Sequence, residues 1–412
     1  MKQLKEEAIW VLKHISEIRK LQDTAVIFQS WNQLDRYLSH LSDVFSSYDV
    51  LHAIAIKTNP HPSILRYLVS KGFGLEAASM EEVEMAIAAG IDPKKIVYDS
   101  PVKTLSEIVA CHNLYSGIRL NVNSVNELER IPEKPNFILG LRINPIKDTG
   151  SPELYHVSQN ESKFGEPILN RDSIVGACLK YPVTQLHIHS GSALENIKNA
   201  VDAISEVVAL ANDINKKLSE NNSNRRIECI DIGGGLKPEK LTNQPSKMMQ
   251  YAKMLESVND LRNYQLVTEF GQWCHFYCGY ASSVVEYVLQ RNDKQLVYVH
   301  LGADFLVRDA YVKPRGIEFI PLKKDFNSME ENLQLTDLAG PLCFAGDYLQ
   351  KDIELPKMSE GDHLLMLGTG SNSYGLWSRH CSRAIPKIIG VDFQKREIKV
   401  LSERTKFHGY DF

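Results

Sequence analysis

Between residues 51 and 270 the chain alternates short apolar runs with longer stretches of helical periodicity, and this rhythm constrains its fold more than any other feature. The runs are LHAIAI (51–56), GFGLEAA (72–78), KIVYDS (95–100), GIRLNVN (117–123), FILGLRIN (137–144), QLHIHS (185–190), IECIDIG (227–233) and LVTEF (266–270). Segments so short and apolar read as strands covered on both faces. The stretches between them, such as SILRYLVSKG, MEEVEMAIAAG, ENIKNAVDAISEVVALANDINKKL and PSKMMQYAKMLESV, repeat apolar residues at three and four, as amphipathic helices do. Strands separated by helices pair in parallel, and eight such units closing on themselves make a (β/α)8 barrel.

A barrel of this kind uses about 250 residues, and the chain has 412. Past residue 280 the pattern changes to strand-like segments without long helices between them: SSVVEYVLQ, LVYVHLG, GIEFIPL, HLLMLGTG, KIIGVDF and EIKVLSE. They imply a second, mostly antiparallel β domain. DTAVIFQS (23–30) also reads as a strand and pairs with that domain rather than the barrel. The expected division is a barrel over 45–280 and a β-rich domain built from 1–44 and 281–412. The connection PIKDTGSPELYHVSQNESKFGEP is too long and polar for a plain βα loop and reads as a mobile active-site loop.

Composition excludes several classes. A hydrophobic fraction of 43%, a charged fraction of 24% and a net charge of -4 describe an ordinary globular chain, and no basic stripe suggests a nucleic-acid partner. The N-terminus, MKQLKEEAIWVLKH, is an amphipathic helical pattern rather than a secretory signal, and no apolar stretch is long enough to cross a bilayer. A cytoplasmic protein is expected. The seven cysteines are odd in number and scattered; Cys274 and Cys278 lie four apart without a second pair, so reduced thiols and no metal are expected.

In a barrel, chemistry comes from the C-terminal ends of the strands. Lys57, Glu76, His189, the triplet Gly233-Gly234-Gly235 and Glu269 all occupy such ends and face one mouth. Most lysines are solvated surface charges, but an apolar strand delivers Lys57 into the mouth, where desolvation lowers an amine toward the neutral form that attacks a carbonyl. The glycines read either as a tight turn or as a backbone cradle for an anion. Glu269 suits an arginine partner or the nitrogen of a bound ring, and His189 suits the core or stacking on a flat ligand.

Eight motifs then occur in order: AIKTN around Lys57, GLEAAS with Glu76, SKFG (162–165), HIHSGS with His189 and Ser192, DIGGG (231–235), EFGQ (269–272), GPLCFAGD (340–347) and WSRHCSR (377–383). Together they resemble the fold-type III pyridoxal-phosphate (PLP) decarboxylases, the family of diaminopimelate, ornithine and carboxynorspermidine decarboxylases with an alanine racemase-like barrel. The resemblance runs from about Asp23 to the C-terminus. It implies that Lys57 holds PLP through an imine, that Glu76 and Ser192 belong to the cofactor site and that His189 stacks on the ring. It implies further that Glu269 pairs with the ring nitrogen and that the backbones of Gly233, Gly234, Gly235, Gly271 and Gln272 hold the phosphate. A head-to-tail homodimer is implied, its site completed by Cys343 of the partner subunit, which protonates the α-carbon after carbon dioxide leaves.

Three positions depart from the family. Its EPGR is Glu269-Phe270-Gly271-Gln272, so a cation becomes a neutral amide. Its GAY aligns with Gly370-Ser371-Asn372, with Asn372 in the place of the phosphate-binding tyrosine and Tyr374 two residues on. Phe344 stands where diaminopimelate decarboxylases carry a glutamate for the distal amine. Another carboxylate, Asp347 or Asp309, would have to meet a distal ammonium. Arg308 in LVRDAY instead matches the family arginine that binds a distal carboxylate. The expected substrate therefore carries a distal acid or is an amino acid conjugated to a carboxylic acid, in specialised metabolism such as siderophore biosynthesis. Two other readings on the same fold are a non-catalytic PLP-fold regulator, encouraged by Gln272 and Asn372, and an amino-acid racemase, disfavoured by the CxxGD context and the SKFG loop.

Overall fold

The computed structural model of the protein describes residues 2–16, 18–151, 153–155, 157–329 and 333–405. The chain separates into two compact units, Ser39–Trp273 and Met1–Leu38 with Cys274–Phe412. The first strand, β1 (Ala25–Ser30), belongs to the latter, so the barrel interrupts the sequence of the β unit.

The barrel comprises β2 (Val50–Ala55), β3 (Gly74–Ala77), β4 (Ile96–Asp99), β5 (Arg119–Val122), β6 (Ile138–Asn144), β7 (Val183–His187), β8 (Cys229–Asp231) and β9 (Gln265–Thr268). Each pairs in parallel with the next, and β9 pairs with β2 to close the ring. All eight apolar runs became these strands. They are short because both faces are covered: every residue of β3, β4 and β5 is buried. Helix starts are defined by side-chain caps, among them Ser79, which accepts from the Glu82 N–H, and the reciprocal Thr104–Glu107 box.

The interior of this barrel is polar at several levels. Arg119 donates to Gln185 at 2.9 Å, and Gln185 donates to Asn121 at 2.7 Å, all three buried. Gly140 makes room for that network, since a Cβ there would lie 2.0 Å from Asn121 Oδ1. Buried polar groups of this kind are tolerated because they satisfy one another.

In the β unit, β1 is joined by β10 (Gly279–Arg291), β11 (Lys294–Val299), β12 (Glu318–Leu322), β13 (Leu333–Ala339), β14 (Tyr348–Pro356), β15 (His363–Leu367), β16 (Lys387–Asp392) and β17 (Glu397–Ser402). The order is β14-β13-β11-β10-β1-β16-β17, with β15 against β10 and β12 against β15. Pairing is antiparallel except at β1–β16 and β11–β13. Helix α1 (Lys2–His14) packs Leu4, Ala8, Val11 and Leu12 against Val26, Phe28, Tyr280 and Ile389. The alternate residues Ile27, Ala281, Val297 and Met366 build the core on the other face. Among the described residues no helix is long and apolar enough to cross a membrane.

Candidate active site

Lys57 lies in a 3-10 turn, Ile56–Thr58, immediately after β2, where the Thr58 hydroxyl donates to the Ala55 carbonyl at 2.6 Å. Its Nζ donates to both carboxylate oxygens of Glu76 on β3, at 2.7 and 2.6 Å. The Glu76 side chain is wholly buried, whereas that of Lys57 keeps 49% of its surface exposed. Burial alone would lower this amine, as the sequence suggests, but the charges of Glu76 and Glu269 outweigh burial and raise it. The expected neutral amine is thereby corrected: Lys57 is held as an ammonium by its neighbour.

Beside this pair lies a buried set of charges. Arg142 on β6 reaches Asp99 on β4 at 2.7 Å, and the Arg142 guanidinium sits 4.5 Å from the centre of the Phe164 ring, in the SKFG loop. Burial pushes Asp99 up, but Arg142 and His187 overcome it and hold the carboxyl well below its usual range. Glu269, one residue past β9, has the opposite fate: burial, then the charges of Asp231, Glu76 and Asp99, push it well above that range. His189 accepts the Gly234 N–H at Nδ1 (3.2 Å) and lies 3.8 Å from Glu269 Oε2. Burial, followed by Arg142 and Lys57, depresses it well below an ordinary histidine. With Nδ1 accepting, the proton of this neutral ring sits on Nε2.

The glycine triplet is a cradle that no side chain could enter. Gly233 and Gly235 adopt positive φ, +64° and +95°. A Cβ at 233, 234 or 235 would lie 2.7 Å from Ile188 O, 2.4 Å from Glu269 O or 1.9 Å from Gly191 O. Gly271 is equally confined, a Cβ there falling 2.6 Å from Thr58 Oγ1. Ser192 and Gln272 are half-buried, in the loop that carries His189 and in the turn after Glu269. The SKFG loop is tied to the barrel through Asn123, whose amide donates to the Lys163 carbonyl at 2.9 Å and accepts from the Gly165 N–H at 3.0 Å.

The remaining predicted residues lie in the β unit. Cys343 is exposed. Phe344 stacks on Tyr311 with centroids 5.4 Å apart and tilts against His380 at 5.8 Å. Arg308 is half-buried on the short helix Val307–Tyr311. Asn372 is buried at positive φ, +52°, its amide donating to Ser371 Oγ at 2.8 Å, and Tyr374 packs on the sheet core. Two expectations are corrected. Asp347 accepts the N–H groups of Ala303 and Leu342, both at 2.6 Å, so its carboxylate pins the loop instead of facing a ligand. Asp309 is bound by Arg315 through Nε at 2.9 Å and Nη2 at 2.6 Å. Neither is free to meet a distal ammonium.

Residues 31–273 match the family described as pyridoxal-dependent decarboxylase, pyridoxal binding domain. The chain belongs to this family. Among its relatives, the diaminopimelate decarboxylase of Bacteroides thetaiotaomicron is 28% identical over 402 residues, covering 90% of this chain and 96% of its own. That of Aquifex aeolicus is 25% identical over 372 residues, covering 87% and 84%. The fold is shared with the crystal structure of diaminopimelate decarboxylase from Helicobacter pylori complexed with L-lysine, at a TM-score of 0.83, 22% identity and coverage of 96% and 97%. It is shared also with the Paramecium bursaria Chlorella virus arginine decarboxylase, at a TM-score of 0.79, 17% identity and coverage of 93% and 100%.

This pyridoxal-dependent decarboxylase has a mouth whose donor set fits PLP. It offers an amine, a Cβ-free cradle for an anion, a flat neutral imidazole and a buried carboxyl whose Oε1 has no hydrogen-bond partner among the described residues. Sequence reasoning missed Asp99, Arg142 and His187, which point into the decarboxylase barrel from the bodies of apolar runs. It also missed Arg315, which holds Asp309, the Ser371 carbonyl and the Ser373 hydroxyl and so fixes the loop bearing Asn372. The first three carried a signal, a charged residue within an apolar strand; Arg315, in a KPRG turn, carried none.

Proposed function

We propose that the protein decarboxylates an amino acid bearing a distal acid, or an amino acid conjugated to one, using PLP attached at Lys57. The observation that carries the reading is the convergence of Lys57, Glu76, His189, Glu269 and the glycine cradle on one barrel mouth. Bound PLP supplies the electron sink for the pair left on the α-carbon as carbon dioxide departs. Lys57 provides the amine that holds the cofactor and exchanges with the substrate's. Gly233, Gly234, Gly235, Gly271 and Gln272 would hold the phosphate, with Ser192 as a further polar contact. His189 would pack against the ring, and the Glu269 carboxyl would pair with its nitrogen.

The protein acts as a cytoplasmic homodimer in which Cys343 of one subunit delivers the proton to the α-carbon in the other's site. The preference for a distal acid is supported by the charges at the predicted substrate positions. Phe344 has no charge, Asp309 and Asp347 are committed to other partners, and Arg308 is cationic. Tyr374 stays with the sheet core.

The test is a mixed spectroscopic and product assay. PLP added to the full chain is expected to give an imine absorbance band that Lys57→Ala abolishes; no band in the wild type would overturn the cofactor reading. Carbon dioxide release is then measured across D- and L-amino acids with distal amines, distal carboxylates and citrate or acyl conjugates. Turnover confined to distal amines would sink the substrate assignment.

A further inference from the structure

Phe164 comes near the end of the long loop after β6, yet its backbone is fixed on both sides by a single side chain. Asn123, one residue past β5, donates to the Lys163 carbonyl at 2.9 Å and accepts the Gly165 N–H at 3.0 Å. Glu166 and Pro167 then pair in parallel with Ile143 and Asn144 at the end of β6, and Glu166 Oε2 accepts the Val125 N–H at 3.1 Å. Gly165, at φ +76°, lets this segment lie close on β6: a Cβ there would fall 2.8 Å from the Asn144 nitrogen and 3.3 Å from Arg142 Cγ. With both neighbours of Phe164 held, only its ring is left to turn.

The half-buried ring faces the Arg142 guanidinium, with Cζ 4.5 Å from its centre. Arg142 is itself buried and reaches Asp99 Oδ2 through Nη1 at 2.7 Å. A desolvated cation gains most from an aromatic face, and a weakly hydrated guanidinium gains more than an ammonium. Lys163 Nζ lies 5.0 Å from the same ring but is exposed to water, so Arg142 is the cation the ring serves. Asp99 shares the mouth with the carboxyl groups of Glu76, Asp231 and Glu269 and with the Lys57 amine. A phosphorylated cofactor brings further negative charge into this set. Without its arginine, Asp99 would oppose that anion as a buried and uncompensated carboxylate.

We propose that Asn123 and Phe164 are positioning residues for the decarboxylase site. Asn123 aims the ring, and the ring holds the Arg142 guanidinium on Asp99, so that this carboxylate stays compensated when the anionic cofactor enters. The two residues act in series: Asn123 has no effect except through Phe164, and Phe164 none except through Arg142. The link from Arg142 to the cofactor rests on the proposed placement of PLP at Lys57.

The test begins with nuclear magnetic resonance of the full chain carrying isotope-labelled arginine, before PLP is added. A guanidinium under a ring gives side-chain N–H signals displaced from those of solvated arginines, assigned by their loss in Arg142→Lys. Phe164→Met, which keeps the bulk without the ring, should abolish the displacement, and Phe164→Tyr should retain it. Asn123→Ala alters neither Phe164 nor Arg142 and should abolish it as well; Asn123→Ser serves if the alanine variant does not fold. Titration with PLP is the second readout. Affinity should weaken about tenfold in Phe164→Met and in Asn123→Ala, recover most of that loss in Phe164→Tyr, and weaken no further in the double variant than in Phe164→Met. An unmoved Arg142 signal in the folded Asn123 variant overturns the proposal, as does methionine serving as well as tyrosine. An affinity unchanged in variants that displace Arg142 overturns it too. Absence of the Lys57-dependent imine band in the wild type would instead overturn the cofactor placement, while the arginine signals recorded before PLP still decide whether Asn123 and Phe164 place Arg142.

Discussion

At the scale of single residues, the site is governed by which charge each group faces. Lys57 and Glu269 are neighbours in one low-dielectric mouth and move in the same direction for opposite reasons. The amine is raised by the two carboxylate oxygens within 2.7 Å, and the carboxyl is raised by burial among other acids. An amine held as ammonium attacks a carbonyl only after losing its proton. Glu76→Gln removes the charge that holds that proton, so the pH giving half-maximal rate of imine formation should fall by at least about one unit. Rapid mixing with PLP across a pH series measures this, and a midpoint that stays in place would show that Glu76 does not set the amine. Lys57, Glu76, His189 and Glu269 were legible in the sequence because strand ends point chemistry toward a barrel mouth. Asp99, Arg142 and His187 showed only as polar residues in apolar strands, a signal that does not say whether a side chain faces a helix or the barrel axis.

At the scale of elements, glycine positions separate two costs that usually occur together. Gly90 and Gly235 both adopt positive φ, +88° and +95°, but a Cβ meets nothing within 4 Å at Gly90 and lies 1.9 Å from Gly191 O at Gly235. Gly90→Ala should therefore cost only the backbone term, about 1 kcal/mol, and leave PLP affinity unchanged. Gly235→Ala must also displace the loop bearing His189 and Ser192, so it should cost about 1–3 kcal/mol or more and weaken PLP binding. Thermal melts and equilibrium titration of the two variants check the contrast; equal losses of affinity would mean that the cradle has no special place. A second element, the corner of β11, β13 and β14, depends on Gln295. This buried amide donates to Thr336 Oγ1 and the Pro356 carbonyl, both at 2.8 Å, and accepts the Met358 N–H at 3.0 Å. Gln295→Leu removes these three bonds, Thr336 Oγ1 keeping only the Gln334 carbonyl, and should lower stability by about 1–3 kcal/mol for each buried group left without a partner, measurable as a fall in melting temperature. β13 and β14 themselves escaped the sequence reading. LQLTDLA and YLQKDIELP place Leu, Asp, Lys and Glu on an exposed face, so neither reads as the apolar run that marked the other strands.

At the scale of the whole molecule, the rhythm of apolar runs was enough to read the closed barrel and the β region after it, because eight parallel strands covered on both faces leave an unmistakable pattern. What it could not convey is how α1 is held on the β unit. The helix buries Glu7 against that sheet, where Ser30 Oγ donates to Oε2 at 2.7 Å and Tyr280 OH donates to Oε1 at 3.2 Å. Burial is the main influence on this carboxyl and, with Asp392 adding to it, outweighs both hydrogen bonds, pushing it from 4.5 to about 7. The folded state therefore holds a proton that the unfolded chain has released between those two values. Glu7 imposes no penalty below pH 4.5, and its cost to stability grows as pH rises toward 7, levelling off above that value. A shift of that size corresponds to about 3 kcal/mol at the plateau. Glu7→Gln keeps the shape and both partners but has nothing to ionise. Melting curves of the two proteins should nearly coincide at about pH 4 and separate as the pH rises to neutrality and beyond, with the glutamine variant the more stable there. A constant difference across the whole range would mean that the carboxyl titrates alike in the folded and unfolded chain, and that its burial under α1 does not perturb it.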